Sequence, residues 1–561
     1  MTHRRLYLLL ISILLPLTVF AGARNMSADE LYAKIHHNMG LFGDIYREIS
    51  LRYVDQIDPD EFVQAGIDGM LETLDPYTVY IPEEDTDDID VITYGKYGGV
   101  GIEIGVRGED KVLTVISAMD DSPAQRVGMR SGDRVIEVDG QSMIGKSTRD
   151  ASRLLRGEPD THVMIKVERP GAIEPIEFDL SRQVINVKDV AYSGFVEPGI
   201  GYIKLAHFST RAQSELDEAL LDLQSKGMHS LILDLRGNPG GLMSAAVGVL
   251  QKFMDKGEVV VSTKGRAPDA NRTFKLASDP IAKDVPLAVL IDGGSASASE
   301  IVAGAIQDLD RGVLIGEPTF GKGLVQSVIS FETGEALKLT TAKYFTPSGR
   351  LIQKVDYFGD DTTFVISPIE ESTDTAFTTR NGRKVEGGGG IEPDIMVETP
   401  QPGQLGVELW RKGTFFDFVT QFIAENPGVT DAKVSEQMID QFRDWLVEND
   451  FNYSVDGEKE LETLREILTT FNLENDAEAD FAHLEHYLEL VRDRDFDEER
   501  PFIKNSLQTE LGNSLYGSTG RIEASFDSDP QILQAVEVLN NNSEYGKLLA
   551  VTTDSSQTKG E

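Results

Sequence analysis

The sequence predicts a multidomain α/β protein, and three observations carry that expectation. The chain has 561 residues, room for about three or four domains of ordinary size. Its apolar residues change period along the chain, from helical three-and-four spacing to short β-branched runs and back to helical spacing. Between about 190 and 400, strand and helix signals alternate, as in a sheet built with helical crossovers. With 40% hydrophobic residues and a mean hydropathy of −0.22, the chain has enough apolar side chain to build cores.

Charge and composition exclude several functions. Against 94 acidic residues stand 53 basic ones, a net charge of −41. Such a chain is repelled by nucleic-acid phosphates and anionic lipid heads, so neither is expected as a general partner. The absence of cysteine removes disulfides, a thiol nucleophile, cysteine metal sites and a lipidated cysteine. Eight histidines without an HExxH spacing argue against a zinc hydrolase.

The first element is an address. Arg4 and Arg5 precede an apolar run from Leu6 to Phe20, and Ala21-Gly22-Ala23 reads as a small-residue cleavage site. This is the three-part layout of a secretory signal, cleaved after about Ala23. The run falls short of the roughly 20 residues of a membrane span, so no stable span is expected after cleavage. An uncleaved anchor is the alternative. Residues 24–95 then read as a helical segment, with Leu31, Ile35, Met39 and Phe42 at helical spacing.

Residues 96–185 read as short strands punctuated by Gly and Pro, such as Val112–Ile116 and Arg134–Val138. Gly98, Gly99, Val100, Gly101 and Ile102 form a glycine loop placed before a strand. A nucleotide-binding glycine loop would follow a strand and open a helix, so the order points instead to capture of a peptide carboxylate beside a free strand edge. Together with Ser122-Pro123-Ala124 and the Gly132–Gly140 stretch, this segment resembles a PDZ domain of about ninety residues. A small β-domain that only packs on its neighbours is the alternative.

Residues 186–403 hold the strongest chemistry. Leu231–Leu235 runs into Arg236-Gly237-Asn238-Pro239-Gly240-Gly241, Leu287–Ile291 into Asp292–Ser299, and Val313–Ile315 into Gly316–Gly323. Loops at the carboxyl ends of strands in such sheets form the ligand crevice, so these three are expected to converge. Small residues around Ser297 leave its hydroxyl reachable, and the helix that follows offers positive potential to a developing oxyanion. A neutral lysine can act as the base for a serine, and Lys322 lies between two glycines. From the residues alone, a plain helix cap at Ser295–Ser299 and an exposed turn lysine remain open. Gly316–Lys322 narrowly misses a phosphate-binding loop, because Gly323 stands where Ser or Thr is needed. Residues 404–561 read as an acidic helical extension with 33 acids against 13 bases. His483 and His486 there have metal-compatible spacing, but a surface helix is the better reading.

The order of signal, helical segment, PDZ-like module, DLRGNPGG (234–241), SASASE (295–300) and TFGKGLVQS (319–327) resembles the carboxyl-terminal processing, or tail-specific, serine peptidases over residues 40–400. The resemblance implies a crotonase-like α/β peptidase core with an inserted PDZ domain. It implies Ser297 as nucleophile, Lys322 as general base and Gln326 as the residue that orients the lysine. It places the oxyanion hole at the amides of Gly241 and Ala298, with Asp234, Arg236 and Glu300 in support. The implied mechanism needs no metal or organic cofactor. Its partners are protein or peptide substrates with free C-termini, and the helical extension leaves room for an adaptor or a homo-oligomer. The implied setting is extracytoplasmic, a periplasm where the host has one. Two other classes are weaker. A binding-only adaptor would share the glycine loop without needing the Ser/Lys pair. A hydratase or thioesterase of the same fold would not account for the signal or the PDZ-like module.

Overall fold

A computed structural model describes residues 28–550, apart from 108–110, 120, 358–366, 369–376 and 472. The export signal read at 1–23 lies outside the described residues. The chain divides into two compact units, residues 1–80 and 81–561.

In the first unit, helices α1 (Ala28–Arg52) and α2 (Pro59–Leu71) form a pair. Asp58 caps α2 through the amides of Asp60 and Glu61, and Pro59 supplies a preset φ at the first helical position. Tyr46 stacks on Phe62 with ring centres 5.7 Å apart, and its hydroxyl donates to the Pro59 carbonyl at 2.9 Å. The helical spacing of Leu31, Ile35, Met39 and Phe42 does produce a helix, but these side chains lie exposed in this unit.

The second unit opens with the acidic segment that ends in α3 (Asp87–Tyr94). A β-rich module follows. Strand β1 (Lys96–Gly99) pairs antiparallel with β7 (Gln183–Asn186) and closes the module at its base. Between them, β2 (Ile102–Arg107), β3 (Val112–Ala118), β4 (Arg134–Val138), β5 (His162–Glu168) and β6 (Ile176–Ser181) form an antiparallel sheet in that order. Alternate residues such as Val163, Ile165 and Val167 of β5 turn into the core while their neighbours face water. Helix α4 (Thr148–Leu155) starts at a reciprocal cap between Ser147 and Asp150 and buries Ala151 and Leu155 on this core.

The following domain is built on a six-stranded sheet. Its order is β8 (Val190–Glu197), β9 (Ile200–Leu205), β10 (Ser230–Asp234), β13 (Leu287–Ile291), β14 (Val313–Gly316) and β17 (Ile395–Met396). Only the β8–β9 pair is antiparallel. Both faces of its central strands are covered, which explains their near-continuous apolar sequence. Leu231, Leu233, Leu287, Val289 and Ile291 face one layer, made of α5 (Ala212–Ser225), α6 (Met243–Leu250) and α7 (Ala298–Asp308). Ile232, Ala288 and Leu290 face the other, where Ile532, Ala535, Val536 and Leu539 of a C-terminal helix pack. A second sheet adds β11 (Val259–Lys264), β12 (Arg272–Lys275), β15 (Leu324–Ser330) and β16 (Ala336–Phe345), with β15 and β16 a hairpin.

The C-terminal region is helical: α8 (Gln404–Arg411), α9 (Thr414–Glu425), α10 (Glu436–Glu448), α11 (Glu458–Thr470), α12 (Glu474–Glu498), α13 (Arg500–Glu523), α14 (Pro530–Asn540) and α15 (Asn542–Leu548). Its first part has a core of its own, around Leu409, Phe415, Phe418, Phe442 and Ile503. Its last part supplies the second cover of the central sheet, so the stretch from Phe526 to Leu539 is structurally a layer of the core. Among the described residues, no helix is long and apolar enough to cross a membrane.

Candidate active site

The three loops singled out in the sequence all leave the carboxyl ends of neighbouring parallel strands, β10, β13 and β14. Backbone and short side chains stitch them together. Ser295 Oγ donates to the Leu235 carbonyl at 2.9 Å, and Ser299 Oγ donates to the Asn238 carbonyl at 2.9 Å. The Ala296 amide reaches the same Asn238 carbonyl at 3.0 Å, and the Phe320 amide reaches the Ser295 carbonyl at 3.1 Å.

Ser297 sits at the turn into α7 with φ +56° and ψ −107°, a conformation that a non-glycine residue adopts only at a cost. Two buried groups hold it there. Glu300, fully buried on the first turn of α7, accepts the Ser297 amide at 2.8 Å. The same oxygen, Oε2, accepts the Lys322 amide at 3.0 Å. The two backbone nitrogens therefore lie closer together than the sum of those distances. Oε1 accepts the Gly321 amide and the Thr319 hydroxyl, each at 2.7 Å. The second clamp is Tyr344 of β16, whose buried hydroxyl lies 2.7 Å from the Lys322 carbonyl and 3.1 Å from the Ser297 carbonyl. Ser297 and Lys322 are thus fixed to each other at both faces of the backbone.

Burial pushes the Glu300 carboxyl up to about 7, although the Thr319 hydroxyl and the amides of Lys322, Ser297 and Gly321 all pull it down. Burial also drives the Tyr344 phenol well above its ordinary value, and the Glu300 carboxylate adds to this. Tyr344 therefore stays a hydrogen-bond donor at any working pH.

The 236–241 loop lies against Ser297. A Cβ on Gly240 would stand 2.7 Å from the Ala296 carbonyl oxygen, 2.9 Å from the Ala298 nitrogen and 3.0 Å from the Ser297 Cβ, so no side chain fits there. Gly241 forms a parallel bridge with Phe208, in which the hydrogen bonds are made by the Gly240 carbonyl and the Leu242 amide. The Gly241 N–H thus stays out of the bridge. Ala298 opens α7, and a first helical N–H has no acceptor within its helix. The Ala298 nitrogen lies in the crowded contact that Gly240 makes around Ser297, and Gly241 follows Gly240 directly in the chain.

Asp234 and Arg236 stand at the root of that loop. Fully buried Asp234 accepts from the Tyr202 hydroxyl at 2.5 Å, Lys204 Nζ at 3.0 Å and the Arg236 guanidinium at 2.7 Å. Burial would raise its carboxyl, but Arg236 and Lys204 outweigh burial and hold it well below the ordinary carboxylate range. Arg236 also reaches Asp529 at 2.6 Å and Gln531 at 3.1 Å, both at the start of α14. Gln326, on β15, donates its side-chain amide to Thr340 at 3.1 Å. His483 and His486 lie exposed on α12, and among the described residues no cluster of His, Asp and Glu could hold a metal ion.

The glycine loop of the β-rich module borders a cleft of about 300 Å³ between β2 and α4, lined among others by Val100, Ile102, Ile104, Ser152 and Leu155. Gly101 turns the chain at φ +75°, with Val100 and Ile102 anchored in the core on either side. Gly98 passes so close to the Gly157 carbonyl that a Cβ would stand 2.1 Å from its oxygen, and Gly99 packs against the Tyr97 ring. Tyr344, Asp529 and Gln531 are the site residues that sequence reasoning missed. Their partners lie far away in the chain, and no local motif marks them.

Comparison with known proteins finds family matches for four segments of the chain. Residues 199–361 match the model of peptidase family S41, residues 114–169 a PDZ domain, residues 405–539 the C-terminal helical domain of probable PDZ-proteases and residues 21–86 the N-terminal domain of the activating protease CtpB. The chain is 37% identical over 371 residues to a carboxy-terminal-processing protease of Bartonella bacilliformis, covering 65% of this chain and 76% of that one. It is 34% identical to the carboxy-terminal processing protease CtpB of Bacillus subtilis, covering 55% of this chain and 64% of that one. Among solved structures, the photosystem II D1 C-terminal processing protease is similar at 27% identity with a TM-score of 0.34, over 64% of this chain and 92% of that one.

Proposed function

Because the chain belongs to the carboxy-terminal processing proteases of peptidase family S41, serine peptidases, we propose that Ser297 and Lys322 form its catalytic dyad, and that it cleaves exported proteins recognised through their C-termini by the PDZ domain. The neutral Lys322 amine takes the proton of Ser297 Oγ as that oxygen attacks the scissile carbonyl carbon. The amides of Gly241 and Ala298 receive the oxyanion of the tetrahedral intermediate. Lys322 then passes its proton to the departing amine, leaving an acyl-serine. A water molecule, deprotonated by the same lysine, releases the acyl product. Gln326, four residues beyond the lysine, is in this reading the residue that orients it.

The observation that carries this reading is the shared oxygen of Glu300, which joins the amides of the nucleophile and the base. The PDZ domain would hold the substrate's terminal carboxylate at Gly98–Ile102 while the peptide adds to the edge of β2. Export rests on the layout of residues 1–23.

The test is digestion of an unstructured protein with an apolar C-terminus by wild type, Ser297→Ala, Lys322→Ala and Lys322→Arg, alongside the same substrate with a charged tail. Wild type alone should cleave, and the charged tail should slow it. Lys322→Arg should fail because a guanidinium stays protonated near neutral pH. Turnover by Lys322→Ala would remove the dyad, and indifference to the tail would remove PDZ recognition.

A further inference from the structure

The four charges at the root of the oxyanion loop balance only if the C-terminal region is counted. Lys204 and Arg236 bring two positive charges, Asp234 one negative, and all three are largely buried. Asp529, 293 residues further along the chain from Arg236, supplies the fourth. We propose that Asp529 is a positioning residue for the oxyanion hole, holding Arg236 and thereby the 237–241 loop in its reactive arrangement.

This rests on the oxyanion hole assigned above, and the geometry follows the chain outward from α14. Asp529 uses its two oxygens for two purposes. Oδ1 caps the helix, accepting the Gln531 amide at 2.9 Å and the Ile532 amide at 3.1 Å. Oδ2 pairs with Arg236 at 2.6 Å. Gln531, itself buried, accepts from Arg236 with Oε1 and donates with Nε2 to the Val397 carbonyl at 2.8 Å. The guanidinium is therefore pinned between Asp234 at the end of β10 and the start of α14.

Arg236 is also the first residue of the loop. Its amide donates to Asp234 at 2.8 Å, and its carbonyl accepts from Lys204 at 2.6 Å. The next amide, Gly237, donates to Asp292 at 2.8 Å, which starts the nucleophile turn. From there the chain has little freedom. Asn238 Nδ2 donates to the Leu205 carbonyl, its Oδ1 accepts the Gly240 amide, and Gly240 abuts Ser297. A shift of Arg236 is thus carried to the Gly241 amide within five residues. Without Asp529 the cluster keeps an uncompensated positive charge, and the guanidinium is drawn toward Asp234 alone.

Docking of α14 does not itself depend on this ion pair. Ile532, Ala535, Val538 and Leu539 bury its apolar face on the central sheet. Asn and Ser both cap helices well, so Asp529→Asn and Asp529→Ser keep Oδ1-type capping and remove the charge.

The experiment measures kcat and KM on a peptide substrate, and inhibition by a peptide boronate, whose tetrahedral adduct with a serine occupies the oxyanion hole. The proteins are wild type, Asp529→Asn, Asp529→Ser, Asp529→Glu, Ser297→Ala and Glu523→Gln. Glu523 accepts from the Tyr192 hydroxyl at 3.0 Å, at another point where the C-terminal region meets the core, and has no hydrogen bond to Arg236. Misplacing a reacting group by about 1 Å costs about 10²-fold. Accordingly Asp529→Asn and Asp529→Ser should lose about 10- to 100-fold in kcat with KM within twofold, and bind the boronate more weakly by a similar factor. Asp529→Glu should recover part of both, Glu523→Gln should match wild type, and helix content should be unchanged throughout. Wild-type kcat in Asp529→Asn overturns the proposal, as does a loss of kcat with undiminished boronate affinity. If instead Ser297→Ala still turns over, or no variant binds the boronate, it is the dyad reading that falls.

Discussion

The proposed catalytic centre and the proposed peptide cleft of the PDZ domain are held by opposite means. Around Ser297 and Lys322, the organising charges are buried. Glu300 and Asp234 are inaccessible to solvent, and each is surrounded by several donors at 2.5–3.1 Å. Beside the cleft, the acidic segment that precedes the module is held on α4 by exposed ion pairs, Arg153 to Glu84 at 2.9 Å, Arg153 to Asp85 at 3.0 Å and Arg156 to Asp88 at 2.5 Å. Buried charges with full donor sets fix a geometry and do not respond to salt, whereas exposed pairs contribute little each and are screened. Under the proposed function, bond-breaking is thereby given rigid positioning, and recognition is given a surface that conditions can tune.

The largest effect should come from breaking the buried side of this comparison. In Glu300→Gln the side-chain NH₂ cannot accept, so half of the carboxylate's four hydrogen bonds lose their acceptor and the two catalytic loops separate. Activity should fall about 10²-fold, with the fold retained. Stability should move differently. The Glu300 carboxyl is raised from its ordinary 4.5 to about 7, so the protonated form is favoured in the fold. Its contribution is fully present below about pH 4.5 and is lost as pH rises through 7, a change of about 3 kcal/mol. The glutamine variant has no such titration. Wild type should therefore lose stability relative to Glu300→Gln between pH 5 and 8, as read by urea denaturation. Its peptidase activity should rise over the same interval, because the ionised carboxylate is the form that can accept all four bonds. A parallel pH response of stability in the two proteins would show that Glu300 does not titrate there.

A smaller effect should come from the cleft. Gly101 is left-handed at φ +75°, and a Cβ there would stand 2.3 Å from the Ser122 Cβ. Gly101→Ala must shift the glycine loop against the start of the short Pro123–Arg126 helix, which Ser122 caps. For substrates with a free apolar C-terminus, KM should rise by about tenfold while kcat on a short peptide lacking that terminus stays unchanged. Equal losses on both substrates would mean that the loop and the dyad are not separable.

These residues were legible in the sequence to different degrees. The apolar strand runs, the three loops and the helix after Ser297 follow from local patterning, because parallel strands buried on both faces leave few residue choices. Glu300 stands three residues after Ser297, the spacing of a capping box, and its bond to the Ser297 amide was legible as such. Its bonds to Thr319, Gly321 and Lys322 were not, because they depend on how β13 and β14 align in the sheet. Tyr344 reads as an ordinary strand aromatic. Ile532, Ala535, Val536 and Leu539 show helical spacing, so a buried face on α14 is evident, but the surface that it covers is decided by tertiary packing. The acidic character of residues 404–561 points to solvated helix faces, and it conceals that Asp529 neutralises a cluster inside the core.

The smallest effect tests the exposed side directly. An exposed ion pair contributes about 0.2–1 kcal/mol, and the screening length falls from about 10 Å at 0.1 M salt to about 3 Å at 1 M. Raising NaCl from 0.05 M to 0.5 M should therefore increase amide hydrogen exchange across residues 83–94 about two- to fivefold, and Arg153→Ala at low salt should reproduce that increase. Exchange in the 292–300 loop should not change, because Glu300 is fully buried and Asp292 is held by the amides of Gly237 and Gly294 rather than by an exposed ion pair. If residues 83–94 are as indifferent to salt as 292–300, the segment is held by its apolar contacts, with Val91 at the cleft as the first candidate. The contrast between a rigid centre and a tunable rim would then give way to two regions fixed alike.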